Sequence, residues 1–192
     1  MDNLYVRQLR LDDLERIKKV YKDEYEHGLI SEKKYKTWKG TTPNLFKNYL
    51  ENMEKRKIGQ GEEDIFGVNF YNYYLIENDE IIGTSSIRTN IENNENTKNL
   101  FGHIGYTIIP SKWKQGYGTK FLHLLLEKCE ELGLDEVELI CSKDNIGSQR
   151  VIENNFGEYI DTTLDSSDNE YYKRYKINVK ESLHKFEGKK TK

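Results

Sequence analysis

The chain has 192 residues, of which 30 are Lys or Arg and 33 are Asp or Glu, so its formal net charge is −3. This near balance gives no electrostatic reason to expect binding to nucleic acid or to a membrane. Its length falls in the range of about 100–200 residues that is usual for one domain, and it contains only two prolines. We therefore expect a single domain over residues 1–192.

The apolar segments are short, such as the three leucines at 124–126, whereas a membrane-spanning helix needs roughly 20 apolar residues. The N-terminus lacks both a basic start and an apolar signal core, so the sequence predicts no export and a cytoplasmic location. The two cysteines, Cys129 and Cys141, have no His nearby at the spacing of zinc ligands. They are expected to be reduced core thiols, and the sequence predicts no metal site.

The first half of the chain predicts a β-strand followed by helices and a hairpin. Residues 4–9 alternate as in a strand, and Asp12 or Asp13 can then cap a helix with apolar residues at helical spacing. A second helix is predicted over 44–57. Runs of β-branched and aromatic residues at 70–76 and 81–88 flank the polar turn 77–80, which indicates an antiparallel hairpin. The asparagine-rich segment 91–99 is predicted to be an exposed loop.

The second half predicts strand, helix, strand, helix and a closing hairpin. A strand at 101–109 ends at Pro110, an amphipathic helix covers 115–132, and an apolar strand at 136–141 precedes a short helix at 145–154. This order implies a parallel crossover pair. Runs at 158–164 and 171–179 complete the sheet, and 180–192 is predicted to be a polar tail. The expected fold class is therefore mixed α/β, with a mostly antiparallel sheet of about 6–7 strands flanked by helices.

The stretch 105–119 joins the end of a strand to the start of a helix through a turn that contains Gly116 and Gly118. The free N–H groups of a first helical turn carry a partial positive charge and need acceptors, and glycines let a bulky anion approach them closely. A dinucleotide fingerprint would require glycine at Phe121, and the Gly-Lys-Ser/Thr of a Walker motif is absent. A diphosphate outside those two classes is the ligand that this turn predicts, with a simple tight turn as the alternative.

The order of motifs around this turn resembles the GNAT superfamily of acetyl-CoA-dependent N-acetyltransferases over residues 73–179. It is most similar to a bacterial branch of acetyltransferases that carry Gly-His-Ile-Gly-Tyr before the phosphate loop and Lys-Asp-Asn-Ile-x-Ser after it. Here these motifs occupy 102–106 and 143–148. The resemblance implies a GNAT fold in which a splayed parallel strand pair forms the groove for the cofactor.

The resemblance also assigns cofactor contacts, residue by residue. The strand that contains Tyr106, Thr107 and Ile108 would pair its backbone with the pantetheine arm of acetyl-CoA, and Asn145 would reach the same arm from beyond the next strand. The pyrophosphate would be bound by backbone N–H groups of six consecutive residues: Lys114, Gln115, Gly116, Tyr117, Gly118 and Thr119. Trp113 departs from the family, whose loop usually begins with Arg or Gln. We expect this departure to alter the support of the loop rather than to abolish binding.

The reaction that the resemblance implies is direct attack of a primary amine on the thioester, with a backbone N–H near Ile108 stabilising the oxyanion. His103 is the candidate base, because its side chain titrates between pH 5 and 8; a hydrogen-bonded structural His is the alternative. The Tyr that protonates the leaving thiolate in many relatives falls on Ile152, which cannot donate a proton. Tyr106, Tyr159 or Tyr171 are alternatives between which spacing does not select.

Three functions stay open at this point. The first is an N-acetyltransferase acting on an amine of a small molecule or a peptide, and the second is a non-catalytic CoA-binding module of the same fold. The third is an interaction domain without a cofactor. No motif identifies the amine acceptor, although the aromatic run at 70–74 and Trp38 could line its pocket as an alternative to packing in the core. Dimers are frequent among relatives, so a homodimer is expected only by analogy.

Overall fold

The computed structural model of the chain describes residues 3–60, 67–95, 97–165 and 168–190. Within them the strands are β1 (Leu4–Arg7), β2 (Asn69–Glu77), β3 (Glu80–Thr89), β4 (Ile104–Ile108), β5 (Glu136–Ser142), β6 (Glu158–Asp165) and β7 (Glu170–Asn178). The helices are α1 (Leu14–Glu26), α2 (Glu32–Lys39), α3 (Pro43–Arg56), α4 (Tyr117–Glu131), α5 (Ile146–Asn154) and α6 (Val179–Lys190).

The strands form two antiparallel sheets that meet at one point. The first sheet has the order β1-β2-β3-β4 and the second the order β5-β7-β6. Strands β4 and β5, predicted as a parallel crossover pair, are not joined by a ladder in the described residues. An isolated bridge between Gly102 and Leu139 links the two sheets, and it has antiparallel geometry. The mixed α/β fold with a mostly antiparallel sheet and a splayed strand pair is thus confirmed.

The hairpin between β2 and β3 follows the predicted turn. Asn78 and Asp79 have φ values of 49° and 65°, and Glu77 lies opposite Glu80. Positive φ at both central residues of a two-residue loop defines the turn that matches the twist of the flanking strands. Asn and Asp tolerate that conformation better than most residues, which explains why the polar turn was predictable.

Helix α4 packs against both sheets and fills the space between them. Its buried side chains form one core with side chains from β3 and β4 of the first sheet and from β5 and β7 of the second. Phe121, Leu122, Leu125 and Leu126 have no exposed surface. Burying such a side chain contributes about 1.5–3 kcal/mol, so this helix is the principal element that holds the two sheets in a fixed relation.

A second core lies on the other face of the first sheet, under α1 and α3. It contains Ile17 and Val20 of α1, Phe46 of α3, and Tyr74 and Ile76 of β2. Because side chains alternate along a strand, β2 contributes Tyr74 to this core and Tyr71 and Tyr73 to the core around α4. The aromatic run is therefore divided between two faces.

Helix α2 was not predicted from the sequence. None of its residues is buried, so it lacks the apolar stripe by which surface helices are recognised. Ser31 caps it by accepting a hydrogen bond from the N–H of Lys34, and ring stacking holds it to α1. Trp38 stacks on Tyr21 with 4.3 Å between ring centroids.

The predicted polar tail at 180–192 is wrong, because residues 179–190 form α6. Val179 and Ser182 are buried, and the Ser182 hydroxyl donates to the carbonyl of Asn155 at 2.7 Å. The Phe186 ring stacks on His123 of α4 at 3.8 Å. These contacts recur every three to four residues, which is the spacing of one helical face, while charged residues between them mask the pattern. Residues 191–192 lie outside the described part of the chain.

The segment predicted as an exposed loop at 91–99 is partly ordered into short helical turns, at Ile91–Asn93 and Thr97–Phe101. Ile91 and Thr97 are buried. The strand predicted from residue 101 consequently begins at Ile104. Asn96 lies outside the described residues.

No helix in the described ranges combines the length and the apolar character that crossing a bilayer requires. Those same ranges contain no group of three or more His, Cys, Asp or Glu side chains that could hold a metal ion.

The first strand is joined to α1 by a buried ion pair. Arg7 binds the Asp13 carboxylate through two nitrogens at 2.5 and 2.8 Å, and the backbone N–H of Arg10 donates to it at 2.7 Å. The Asp13 side chain has no exposed surface. Burial alone would raise the pKa of Asp13, but the hydrogen bonds from Arg7 and Arg10 outweigh it, and the pKa is lowered.

We expect Asp13→Asn to lower the free energy of unfolding by about 3 kcal/mol, because it leaves the Arg7 charge buried without a counter-charge. Since the folded-state pKa of Asp13 is lowered, its contribution is present above about pH 4 and is lost as the pH falls through that lowered value. Urea titrations at neutral and acidic pH measure both effects. Asp12→Asn is the control, because the Asp12 side chain is 70% exposed; equal losses in the two variants would contradict the prediction.

Candidate functional site

The turn between β4 and α4 presents a row of backbone donors. Pro110–Lys112 form a short helical turn, and Lys114 and Gly116 have positive φ values of 59° and 84° before α4 begins. Within the described residues, no hydrogen bond is donated by the backbone N–H groups of residues 114–119. Free donors at a helix N-terminus, together with the helix dipole, form an anion-binding site.

The two glycines of this turn have different roles. A Cβ on Gly116 would meet nothing within 4 Å, so the glycine keeps the N-terminus of α4 open and adopts the left-handed conformation. A Cβ on Gly118 would lie 2.9 Å from Cγ2 of Val151. Gly118 is therefore required for the close packing of α4 against α5, and its part in the approach of an anion stays a prediction.

An acidic side chain beneath the turn fixes the start of α4. The hydroxyl of Tyr117 donates to Glu77 at 2.5 Å, and Nζ of Lys112 donates to the same carboxylate at 2.9 Å. These two hydrogen bonds lower the pKa of Glu77 and the bond to Glu77 raises the pKa of Tyr117. The first residue of α4 is thereby tied to the end of β2.

Trp113, which departs from the family pattern, ties the turn to the strand. Its indole N–H donates to the carbonyl of Ile108 at 2.6 Å. The expectation that Trp113 changes how the loop is supported agrees with this contact.

Strand β4 offers backbone groups to the space beside β5. The N–H of Ile109 donates to Ile82 of the first sheet, and the carbonyl of His103 accepts from Arg88 of β3. Because backbone groups alternate along an antiparallel strand, Thr107 directs its groups to β3, whereas Tyr106 and Ile108 direct theirs to the open edge. Of the three strand residues named by the resemblance, two therefore face the groove.

Tyr106 and Ser148 meet inside the groove, where the sequence had not placed Ser148. The two hydroxyls lie 3.1 Å apart, joining β4 to α5. Burial is the main cause that raises the pKa of Tyr106 above its ordinary value, so the phenol keeps its proton. Burial also raises the pKa of the nearby Cys141 thiol, which interacts with Ser148. Ser148 is the last residue of the motif at 143–148, and its place in that motif was the feature of the sequence that could have indicated a role in the site.

The other two candidate tyrosines lie elsewhere. Tyr159 is 56% exposed and its hydroxyl contacts Thr162, and Tyr171 is 52% exposed. Ile152, at the place of the family's Tyr, is 1% exposed within the core. Of the three tyrosines, Tyr106 is the one that lies on β4, and its role as proton donor stays a prediction.

Asn145 caps α5. Its side-chain oxygen accepts a hydrogen bond from the N–H of Ser148 at 3.0 Å, which orients the amide at the start of the helix. The amide nitrogen takes no part in that bond.

His103 holds the junction of the two sheets. Its backbone N–H donates to the carbonyl of Glu138 at 2.8 Å, and its ring Nδ1 accepts from the N–H of Glu138 at 3.0 Å. An Nδ1 that accepts a hydrogen bond has no proton, so the neutral ring carries its proton on Nε2. Burial lowers the pKa of His103. The geometry favours the structural alternative for this residue, and its role as base stays a prediction.

The sequence was then compared with models of known protein families. Residues 3–155 match the family model described as "Acetyltransferase (GNAT) domain". The chain belongs to the GNAT family of acetyltransferases. The groove between β4 and β5 is its candidate active site.

Solved structures of similar fold include ribosomal-protein acetyltransferases. RimL, the ribosomal L7/L12 alpha-N-protein acetyltransferase, was solved in complex with coenzyme A; it is 16% identical, with a TM-score of 0.66 over 93% of this chain and 95% of that one. RimJ of Mycobacterium smegmatis, in complex with CoA-disulfide, is 13% identical, with a TM-score of 0.68 over 94% and 86%. The Salmonella typhimurium enzyme that modifies the N-terminal serine of L7/L12 is 16% identical, with a TM-score of 0.64 over 93% and 96%. At these identities the likeness concerns the fold.

Among curated proteins, the chain is also similar to the chaperone protein HtpG of several Clostridium botulinum strains. The identity is 28% over 153 residues, which covers 71% of this chain and 23% of HtpG. The chain thus spans less than a quarter of the length of these relatives, and the chaperone's name describes HtpG alone.

The two roles considered for His103 can be separated by substitution. We expect His103→Ala to lower the free energy of unfolding by about 1–3 kcal/mol, because the N–H of Glu138 loses its acceptor. His103→Asn keeps an oxygen acceptor at a similar position, so we expect it to retain most of the stability and the pH profile of kcat/KM. If His103→Asn folds as stably as the wild type but loses the ionisation on the acidic side of that profile, where a base gives up its proton as the pH rises, His103 is the base.

Proposed function

We propose that this protein transfers an acetyl group from acetyl-CoA to an amine of a small molecule or a peptide, by direct attack in a ternary complex. The observation that carries the proposal is the row of free backbone N–H groups at 114–119, which lies beside the open edge of β4. Family membership supports the acetyl transfer. Residues 1–192 act as a single acetyltransferase domain in this proposal; a cytoplasmic location and a homodimer remain expectations from the sequence.

Coenzyme A fits the donors of the turn. Its pyrophosphate offers several anionic acceptors, and the residues Lys114, Gln115, Gly116, Tyr117, Gly118 and Thr119 offer backbone N–H groups that the described protein leaves unpaired. The hydrogen bonds of Glu77 with Tyr117 and Lys112 keep these donors in place before any ligand binds. A site that is already ordered loses less conformational entropy on binding.

The pantetheine arm is assigned to the open edge of β4. The backbone groups of Tyr106 that face the groove would pair with its amides, whereas the Ile108 carbonyl already accepts from Trp113. Thr107 would contribute by keeping β4 paired with β3. The Asn145 amide nitrogen, oriented by the cap of α5, would donate to the arm from the other side.

Acetyl-CoA supplies a thioester, whose carbonyl an amine can attack once the ammonium has lost its proton. Of the N–H groups that face the groove, that of Ile108 is the candidate to stabilise the oxyanion, which leaves the backbone groups of Tyr106 for the pantetheine amides. The leaving thiolate needs a proton, and the hydroxyls of Tyr106 and Ser148 form a donor pair inside the groove. The amine's proton is left to water or to the substrate, since Nδ1 of His103 is engaged.

A non-catalytic CoA-binding module of the same fold is the second candidate. It is favoured by the buried Ile152 at the position of the family's Tyr and by the absence of an assigned base. Both functions require the same binding site, and they differ in turnover.

Binding at the turn is tested by Gly116→Asp. We expect it to weaken CoA binding at least about a hundredfold, because a carboxylate beside the diphosphate is repelled and α4 loses its free approach. Gly133→Asp is a matched control, since Gly133 lies after the other end of α4, also has a positive φ of 77° and has nothing within 4 Å of its Cβ position. Calorimetry with CoA measures the affinities. Thermal melts measure how much the backbone strain of a substituted glycine lowers the stability of each variant. Equal CoA affinity in the two variants would refute the placement.

The proton donor is tested by Tyr106→Phe and Ser148→Ala. We expect either change to lower kcat by about a hundredfold, the lower range for a general acid, with little change in CoA affinity. If the two hydroxyls form one relay, the double variant will lose no more than the worse single variant. Tyr159→Phe is the control, and an unaltered kcat in both test variants would remove the pair from the mechanism.

A further inference from the structure

Two arginines lie together on the face of the first sheet opposite α4. Arg88 of β3 is directly across from Phe70 of β2, and its guanidinium carbon is 5.2 Å from the centre of that ring. Arg56, in the last turn of α3, has its guanidinium carbon 4.2 Å from the same ring. The Phe70 ring thus contacts two cations.

In the described part of the chain, neither guanidinium group forms an ion pair with a carboxylate. Arg88 is only 9% exposed, whereas Arg56 is partly exposed. The buried Nε of Arg56 has no hydrogen-bond partner. Burial and, secondarily, the charge of Arg56 lower the pKa of Arg88 to about 10. Buried charges in folded proteins are normally paired, because an isolated one costs several kcal/mol.

The pair lies at the point where the groove begins. Nη1 of Arg88 donates to the carbonyls of Gly102 and Phe101 at 3.2 and 3.4 Å, and Gly102 forms the bridge after which β4 and β5 diverge. Nη2 of Arg88 would be 3.2 Å from a Cβ at Gly105, the residue before Tyr106. Within the described residues, Nη2 donates no hydrogen bond. The two N–H groups on Nη2 of Arg88 are therefore available for a ligand, beside the strand that we assign to the thioester.

The two faces of β4 would then serve different substrates. The side chains of Tyr106 and Ile108 pack with α4, whose N-terminus carries the proposed phosphate site. Arg88 and Gly105 lie on the opposite face, together with Asn72 and Tyr74.

We propose that Arg56 and Arg88 bind a carboxylate of the amine acceptor, so that the acceptors of this enzyme are amino compounds that carry a carboxylate within a few bonds of the reacting nitrogen. This inference rests on the proposed acetyl transfer and specifies its substrate class. A bound carboxylate would give both arginines a counter-charge, which neither has among the described residues, and it can accept two hydrogen bonds from one guanidinium. The positive charge of Arg88 also lowers the pKa of a nearby ammonium, which favours the free amine that attacks the thioester.

The preference for a carboxylate is tested with pairs of acceptors that differ only in charge. One pair is a free amino acid and its amide, and the other is a peptide beginning with Asp and the same peptide beginning with Asn. We expect the wild type to favour the acid in at least one pair by about tenfold or more in kcat/KM. Preference in the first pair indicates an α-carboxylate, and preference in the second an acidic side chain.

The arginines are tested by Arg56→Gln and Arg88→Gln. We expect each to lower kcat/KM for the acid by about tenfold to a hundredfold more than kcat/KM for the amide, so that the ratio approaches one. Arg88→Lys, which keeps the charge and loses the paired donors, should retain part of the preference. Lys55→Gln is the matched control, because Lys55 precedes Arg56 on α3 and is exposed. A preference that survives in both Gln variants would overturn the inference.

Two further measurements separate this inference from the proposed function. CoA affinity, measured by calorimetry, should be unchanged in the arginine variants, since Arg88 lies beside the start of β4 and the turn at 114–119 follows the other end of that strand. With CoA bound, the wild type should be stabilised more in thermal melts by an N-acetyl amino acid than by its amide, and this readout needs no turnover. A wild type that acetylates acids and amides equally would overturn the inference and leave acetyl transfer intact. Failure to bind CoA would overturn the proposed function itself.

Discussion

Two hydrogen bonds between His103 and Glu138 hold the first sheet to the second at the base of the groove. The backbone N–H of His103 donates to the carbonyl of Glu138, and the N–H of Glu138 returns to the His103 ring. The second bond replaces a backbone carbonyl by a side chain, which ends regular pairing at this point. Gly102 allows the close contact, because a Cβ there would be 2.7 Å from the Glu138 carbonyl oxygen. Beyond it, α4 occupies the space between the sheets, and β4 keeps an unpaired edge.

An unpaired edge and a row of free N–H groups are both unfavourable in a folded protein unless a ligand or water satisfies them. Both the unpaired edge and the free N–H groups lie beside α4, and nearby hydrogen bonds stabilise the segment that carries them. Glu77 binds Tyr117 and Lys112, and Trp113 binds the carbonyl of Ile108. The turn is therefore rigid without its donors being used, which is the condition for tight binding of a diphosphate. Trp113 supports the turn through its side chain, while in the proposed function the backbone of the turn would contact the anion.

The sequence was informative wherever function or folding depends on neighbours along the chain. The β2–β3 turn, the buried face of α4 and the glycine turn at 116–118 are local patterns, and each was predicted close to its place. Helix α2 was missed because it buries no residue, and α6 because its few contacts are separated by charged side chains. Tyr106 and Ser148 are 42 residues apart in the sequence, and their contact depends on how α5 packs against β4. No spacing rule contains that information.

The arginine pair is a second feature that the sequence alone could not reveal. Arg56 and Arg88 are two of 30 basic residues, and nothing in their neighbourhood in the sequence distinguishes them. Their significance comes from the register of β2 and β3, which places Phe70 opposite Arg88, and from α3, which ends above that ring. If these residues served only stability, pairing them with a carboxylate would raise the free energy of unfolding, because an unpaired buried charge is unfavourable. Replacing one of them by an apolar residue would do the same, since apolar packing is often at least as stabilising as a buried ion pair. A buried Arg88 with Arg56 beside it, neither paired with a carboxylate among the described residues, therefore fits our proposal of an anion that arrives with the substrate. The diphosphate of the donor and the carboxylate of the acceptor would then approach β4 from opposite faces, which keeps two negative groups apart while their reacting ends meet at the strand.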